Sequence, residues 1–158
     1  MKLLVLSDSH GERGSMTRAV ELEKPDYVIH LGDCVDDAQW LSREYPMLPL
    51  ANVRGNCDFG DMTQELRLAE YGGVRVLMSH GHRYQVKSGL LRYSLAAREN
   101  QVDVALFGHT HQAYCEEWDG LWLVNPGSCR SYPIPTYAIV QIEGGKAACR
   151  ICRLDDKE

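Results

Sequence analysis

Short apolar, β-branched-rich runs recur along the first 111 residues, and each stops abruptly at polar side chains. They are LLVLSDSH at 3–10, DYVIHLGD at 26–33, LPLANVRGNCD at 48–58, VRVLMSHGH at 74–82 and VDVALFGHTH at 102–111. The pattern predicts five β-strands that end in Asp, His or Asn. Between them, Ser15–Glu23 carries Met16, Ala19 and Val20 at helical spacing with Pro25 beyond its end, and Asp36–Tyr45 offers Ala38, Trp40 and Leu41 before Pro46. A third helix is predicted over Ser88–Asn100. Strand, helix, strand implies parallel pairing with right-handed crossovers. After residue 111 the texture changes to AYCEEWDGLWLVN, PTYAIVQIEGG and KAACRICRL, punctuated by Asp119-Gly120 and Gly144-Gly145. These are hairpin signals, so the C-terminal third is expected to be antiparallel sheet. The expected whole is one α/β sandwich spanning residues 1–158.

The length of 158 residues suffices for a sizeable core, and the formal net charge of −5 disfavours a nucleic-acid grip built on bulk positive potential. An anionic partner would need something other than net charge to attract it. The N-terminal MKLLVLSDSHG has too short an apolar stretch for a signal peptide and no later run approaches a membrane span, so a cytoplasmic location and no membrane partner are expected. Six cysteines are then free thiols. Cys149 and Cys152 have C-x-x-C spacing, but alternation in a strand points them to opposite faces.

In open α/β sheets, ligands bind outside the carboxyl ends of the strands. Five of the six histidines, His10, His80, His82, His109 and His111, fall in the strand-end blocks, with Asp8, Asp33, Asn56 and Asp58. His30, inside YVIHLGD, reads as a structural strand histidine. Singly, each block has a plain explanation in capping or turn chemistry. Turn chemistry does not explain why histidine gathers at strand ends.

The ordered blocks DSH, GD, GNCD, SHGH and GHTH resemble the calcineurin-like metallophosphoesterase superfamily, and the short chain is most similar to its small prokaryotic phosphodiesterase subgroup. The resemblance implies a four-layer α-β-β-α sandwich with mixed sheets and a dimetal site at the strand C-terminal ends. It implies that Asp8, His10 and His111 ligate one metal, that Asn56, His80 and His109 hold a second, and that Asp33 bridges them. Carboxylate and imidazole suit two divalent transition metal ions, Mn2+ foremost, with Ni2+, Zn2+, Fe2+ or Co2+ as alternatives. Two divalent ions would turn the charge of the Asp8 and Asp33 carboxylates from −2 to +2, or +1 with a bridging hydroxide, so a phosphate ester could bind. Gly108 is expected to let the GHTH loop curl both imidazoles toward neighbouring cations.

Many relatives carry histidine where this chain has Cys57. His82 is the remaining imidazole able to donate a proton or hold a phosphate oxygen, and Asp58 completes the catalytic set by hydrogen-bonding a ligand or a backbone turn. Arg54 could meet substrate oxygens or lie on the surface. Asn125, Gly127 and Ser128 are placed near the site. The activity implied is metal-dependent phosphoric ester hydrolysis, a phosphodiesterase foremost; the alternative is a catalytically silent protein-interaction scaffold of the same fold. A homo-oligomer is compatible with exposed C-terminal edge strands.

Overall fold

The computed structural model describes residues 1–130 and 134–156. Its elements run β1 (Lys2–Leu6), α1 (Arg13–Glu23), β2 (Tyr27–His30), α2 (Val35–Glu44), β3 (Leu50–Asn52), β4 (Leu66–Tyr71), β5 (Val74–Ser79), α3 (Leu91–Glu99), β6 (Val104–Leu106), β7 (Tyr114–Trp118), β8 (Leu121–Asn125), β9 (Thr136–Glu143) and β10 (Lys146–Arg153). Two mixed five-stranded sheets form, in the orders β10-β9-β1-β2-β3 and β4-β5-β6-β8-β7. No helix among the described residues is long and apolar enough to cross a membrane.

The five apolar runs become β1, β2, β3, β5 and β6, and each polar switch falls where the chain leaves a sheet. Leu3, Val5, Ile29 and Leu31 of the first sheet meet Val76, Met78, Val104 and Leu106 of the second in the central core. The runs read as continuously apolar because both faces of these strands are covered. Leu4, Leu6 and Val28 pack beneath Met16, Ala19 and Leu41 of α1 and α2, while Leu77, Ala105 and Phe107 pack beneath Tyr93 and Ala97 of α3. The result is the expected four-layer α-β-β-α arrangement.

Three expectations are corrected. The C-terminal third is not one antiparallel sheet: the β7-β8 hairpin joins the second sheet and the β9-β10 hairpin the first, and β8 lies parallel to β6. Strand β4, antiparallel to β5 across the Gly72-Gly73 turn, has no counterpart among the predicted elements. The third helix starts at Leu91, because 82–84 and 86–88 form 3-10 turns with Gly89 between them and the helix at φ +142°. Cys149 joins the central core and Cys152 the core beneath α1, on opposite faces of β10 as alternation requires.

Candidate metal centre

The strand-end loops continue the sheets' hydrogen bonding beyond the strands. The Asp8 N–H donates to Gly32 O at 2.9 Å, and the Gly108 N–H to His80 O at 2.9 Å. Asp8, His10, Asp33, His109 and His111 all have positive φ, between 43° and 70°. A left-handed backbone costs a non-glycine residue of order 1–3 kcal/mol and persists where surrounding structure dictates it, often at functional sites. Here five such residues converge.

Their side chains meet around two carboxylates. Asp8 Oδ1 lies 3.1 Å from His111 Nε2, 3.8 Å from His80 Nε2 and 3.9 Å from His10 Nε2. Asp33 Oδ2 lies 3.4 Å from His80 Nε2 and 4.0 Å from His10 Nε2. Donor atoms of Asp8, His10 and His111, and of Asp8, Asp33 and His80, fall within mutual reach of one ion each. Asp8 is therefore common to both groups, and Asp33 faces His80 and His10. The His109 ring stacks edge-on to His80, centroids 5.0 Å apart. Asn56 is exposed and its amide turns to Cys57 Sγ at 3.7 Å. Of the seven proposed ligands, Asn56 is the one whose side chain has no described contact with the cluster.

A cation fits this cradle by the chemistry of its donors. Asp8 Oδ1, His10 Nε2 and His80 Nε2 are buried and have no hydrogen-bond partner. Leaving such atoms unsatisfied is costly, and one ion in each group would satisfy all three between them. Burial works to raise the Asp8 carboxyl, but the adjacent His111 imidazole, the His80 charge and the Ser7 hydroxyl hold it below the ordinary range. Burial likewise opposes ionisation of Asp33, and His80 with the Cys57 N–H overcomes it, so both carboxylates are charged. Burial, then the His80 charge, pushes His109 down to about 4, leaving a neutral imidazole suited to a metal.

A surrounding frame fixes these groups. His80 Nδ1 meets Leu31 O at 2.8 Å, which turns Nε2 into the site. Asp58 accepts the N–H groups of Asp33 at 3.0 Å, Gly55 at 2.7 Å and Val35 at 2.8 Å, stapling the β2 and β3 loops together. Asn125 donates to Gly108 O and Thr110 Oγ1 and accepts the Gly127 N–H, while Ser128 Oγ donates to Asp8 O. The loop after β8 thus touches both ligand loops. A Cβ on Gly108 would collide with Ser7 Oγ and reach 2.8 Å from Asp8 Oδ2. Close approach is what requires this glycine; the curl of GHTH is carried by His109 and His111 themselves.

His82 lies just outside, its ring 5.6 Å from His80, with a buried and unpartnered Nδ1. Sequence reasoning missed Asp37. It accepts from Ser9 Oγ and the Gly11 N–H, both at 2.7 Å, and from Arg13 Nε at 3.1 Å, anchoring the loop that carries Asp8 and His10. The available signal was a second acid in the first turn of α2, which reads equally as helix capping. Glu65 and Arg83, paired at 2.9 Å beside His82, were missed too. A cavity of about 860 Å³ between Val20, Lys24, Tyr45 and Met47 lies at the opposite, amino-terminal ends of β2 and β3.

A family model of the calcineurin-like phosphoesterase superfamily domain matches residues 1–145. The probable metallophosphoesterase YsnB of Bacillus subtilis is 39% identical over 158 aligned positions, covering 95% of this chain and 89% of that protein. Phosphodiesterase MJ0936 of Methanocaldococcus jannaschii is 29% identical, covering 90% and 94%. The crystal structure of a predicted phosphoesterase from Streptococcus pneumoniae shares the fold, with a TM-score of 0.80 at 24% identity over 98% of this chain and 90% of that one. Matched along nearly its whole length, and with its ligand-type side chains on the loops where the sheets end, the chain belongs to the calcineurin-like phosphoesterase superfamily.

Proposed function

We propose that the protein hydrolyses phosphoric esters, diesters in particular, with two divalent cations, Mn2+ foremost. The observation that carries this reading is the convergence of three buried, unpartnered donor atoms, Asp8 Oδ1, His10 Nε2 and His80 Nε2, on charged Asp8 and Asp33. In this reading Asp8, His10 and His111 hold one cation, His80, His109 and Asn56 the other, and Asp33 serves both. When bound, the cations would supply Lewis-acid charge to the ester and lower the pKa of a nearby water.

The chain's own residues do the rest. Asp8 and Asp33 bring −2 to the centre, which two divalent cations would exceed, so an acidic protein presents a positive pocket to an anionic ester. Asn56, neutral and exposed in the loop after β3, adds an oxygen without adding charge. His82, with Nδ1 sheltered from water, holds a phosphate oxygen or a proton at the leaving group. Asp58 acts through position alone: its carboxylate is spent on three backbone N–H groups.

The test is metal content per chain beside turnover of bis(p-nitrophenyl) phosphate. Two bound cations, activity abolished by chelation and restored by Mn2+ are expected. A fully loaded protein that turns over no monoester or diester would overturn the reading in favour of a scaffold. Asp58→Ala is expected to lower metal affinity or turnover roughly 10–100-fold, and unchanged values would remove its positioning role.

A further inference from the structure

Beyond the carboxylate and imidazole cluster, Glu65, immediately before β4, gathers basic side chains from two strand-end loops. Arg83, in the turn after β5, places Nε 2.9 Å from Glu65 Oε2 and Nη2 3.3 Å from Oε1. Arg54, in the loop after β3, brings Nη2 to 3.1 Å from Oε1, and its N–H donates to Gln64 O. His82 Nε2 faces the same Oε1 at 3.8 Å. The His82 ring is in turn 5.6 Å from His80 and 6.2 Å from His109. The two guanidinium groups therefore stand one carboxylate and one imidazole out from the metal centre.

Glu65 pairs with both arginines, and Asp61 feels the charge of Arg54, so two carboxylates face two guanidinium groups in a chain of net −5. Each guanidinium has about five N–H donors in a planar fork, and Glu65 cannot use them all. Both arginines also reach solvent, with side chains 33% and 68% exposed. Partly exposed ion pairs contribute little to stability, so a fold-holding role explains the cluster poorly. An oxyanion explains it better, because the guanidinium fork matches phosphate.

We propose that Arg54 and Arg83, splayed by Glu65, form a subsite for a second phosphoryl group of the substrate, one that lies several bonds from the scissile phosphorus. The preferred substrates are then phosphate esters with two phosphoryl groups at nucleotide-like separation. The subsite rests on the hydrolase reading for its role in turnover, but not for its binding.

Two chromogenic diesters test it: the p-nitrophenyl ester of thymidine 5′-phosphate with and without a 3′-phosphate. The wild type is expected to favour the 3′-phosphorylated ester in kcat/KM, and Arg54→Gln/Arg83→Gln to reduce that preference by about ten-fold or more. Glu65→Gln, which unmasks the guanidinium charge, is expected to increase the preference. A purely structural latch predicts that loss of Glu65 acts in the same direction as loss of the arginines. Where the esters are turned over, any pattern other than opposite shifts overturns the subsite. Calorimetric binding of adenosine 3′,5′-bisphosphate and adenosine 5′-monophosphate to the cation-loaded protein separates the two readings. If neither ester is hydrolysed, the hydrolase reading fails, while tighter binding of the bisphosphate that the double variant loses still supports the subsite; equal binding of the two nucleotides overturns it.

Discussion

His30 shows what a single buried side chain contributes when every donor and acceptor around it is fixed. Its Nδ1 accepts the Gly32 N–H at 3.2 Å, and because the Ser9 hydroxyl donates to Asp37, Ser9 Oγ can accept only from His30 Nε2–H at 3.0 Å. The ring is thus neutral, and burial pushes its pKa down to about 4 from 6.5. The unfolded chain takes up the proton first, so this share of stability is present above pH 6.5 and is lost as the pH falls toward 4. Between pH 7 and pH 5 the wild type is expected to lose about 2 kcal/mol through His30. Urea unfolding at the two pH values, compared with His30→Gln, measures that share, and an identical pH dependence in both proteins would refute it. The sequence identified His30 as structural from its apolar neighbours, but not the partners, because Ser9 and Asp37 are 21 and 28 positions from their contacts in this network. Gly108 is a second residue-scale case. Gly108→Ala drives a methyl group against Ser7 Oγ and Asp8, so it is expected to cost about 1–3 kcal/mol and to weaken cation binding. Equilibrium dialysis with Mn2+ checks the second part; undiminished binding would show that the loop can give way.

At the scale of elements, α3 separates faces that sequence periodicity leaves unranked. Tyr93 and Ala97 are fully buried against Leu77 and Phe107, and Tyr93 Oη donates to Leu106 O, whereas Leu95 on the other face is 54% exposed. Tyr93→Ala is expected to destabilise by about 3–5 kcal/mol and Leu95→Ala by less than about 0.5 kcal/mol. Comparable losses in denaturant unfolding would mean that the outer face of α3 is covered in solution. The central strands were legible because burial on both faces leaves them apolar at every position. Strand β4 was not, and LRLAEY shows why: Leu66 and Leu68 point outward, while Ala69 and Tyr71 pack toward the core and Arg67 bonds Asn52 O. Its apolar alternation marks the wrong face. The ligand blocks were legible because polar side chains at the ends of buried strands break a strong pattern. Glu65 and Arg83 break none, since their meaning lies only in each other and in Arg54.

For the molecule as a whole, the decisive point is that the candidate ligands are divided between the sheets. Asp8, His10 and Asp33 leave β1 and β2 of one sheet, while His80, His109 and His111 leave β5 and β6 of the other. Cations held by both groups would clamp the sheets at one end of the sandwich, above the central core they already share. A ligand that binds only the folded state at 100 times its dissociation constant stabilises by about 2.7 kcal/mol, which slows an opening reaction that releases it about 100-fold. Amide exchange at the Asp8, Asp33, His80 and Gly108 loops is therefore expected to slow by that order when Mn2+ is added. Amides at the opposite end, around Lys24 and Met47, border the large cavity and open by local fraying, so they are expected to keep their rates. Protection confined to the Asp8 and Asp33 loops would mean that one sheet holds the metal alone, and would refute the clamp even if two cations were bound.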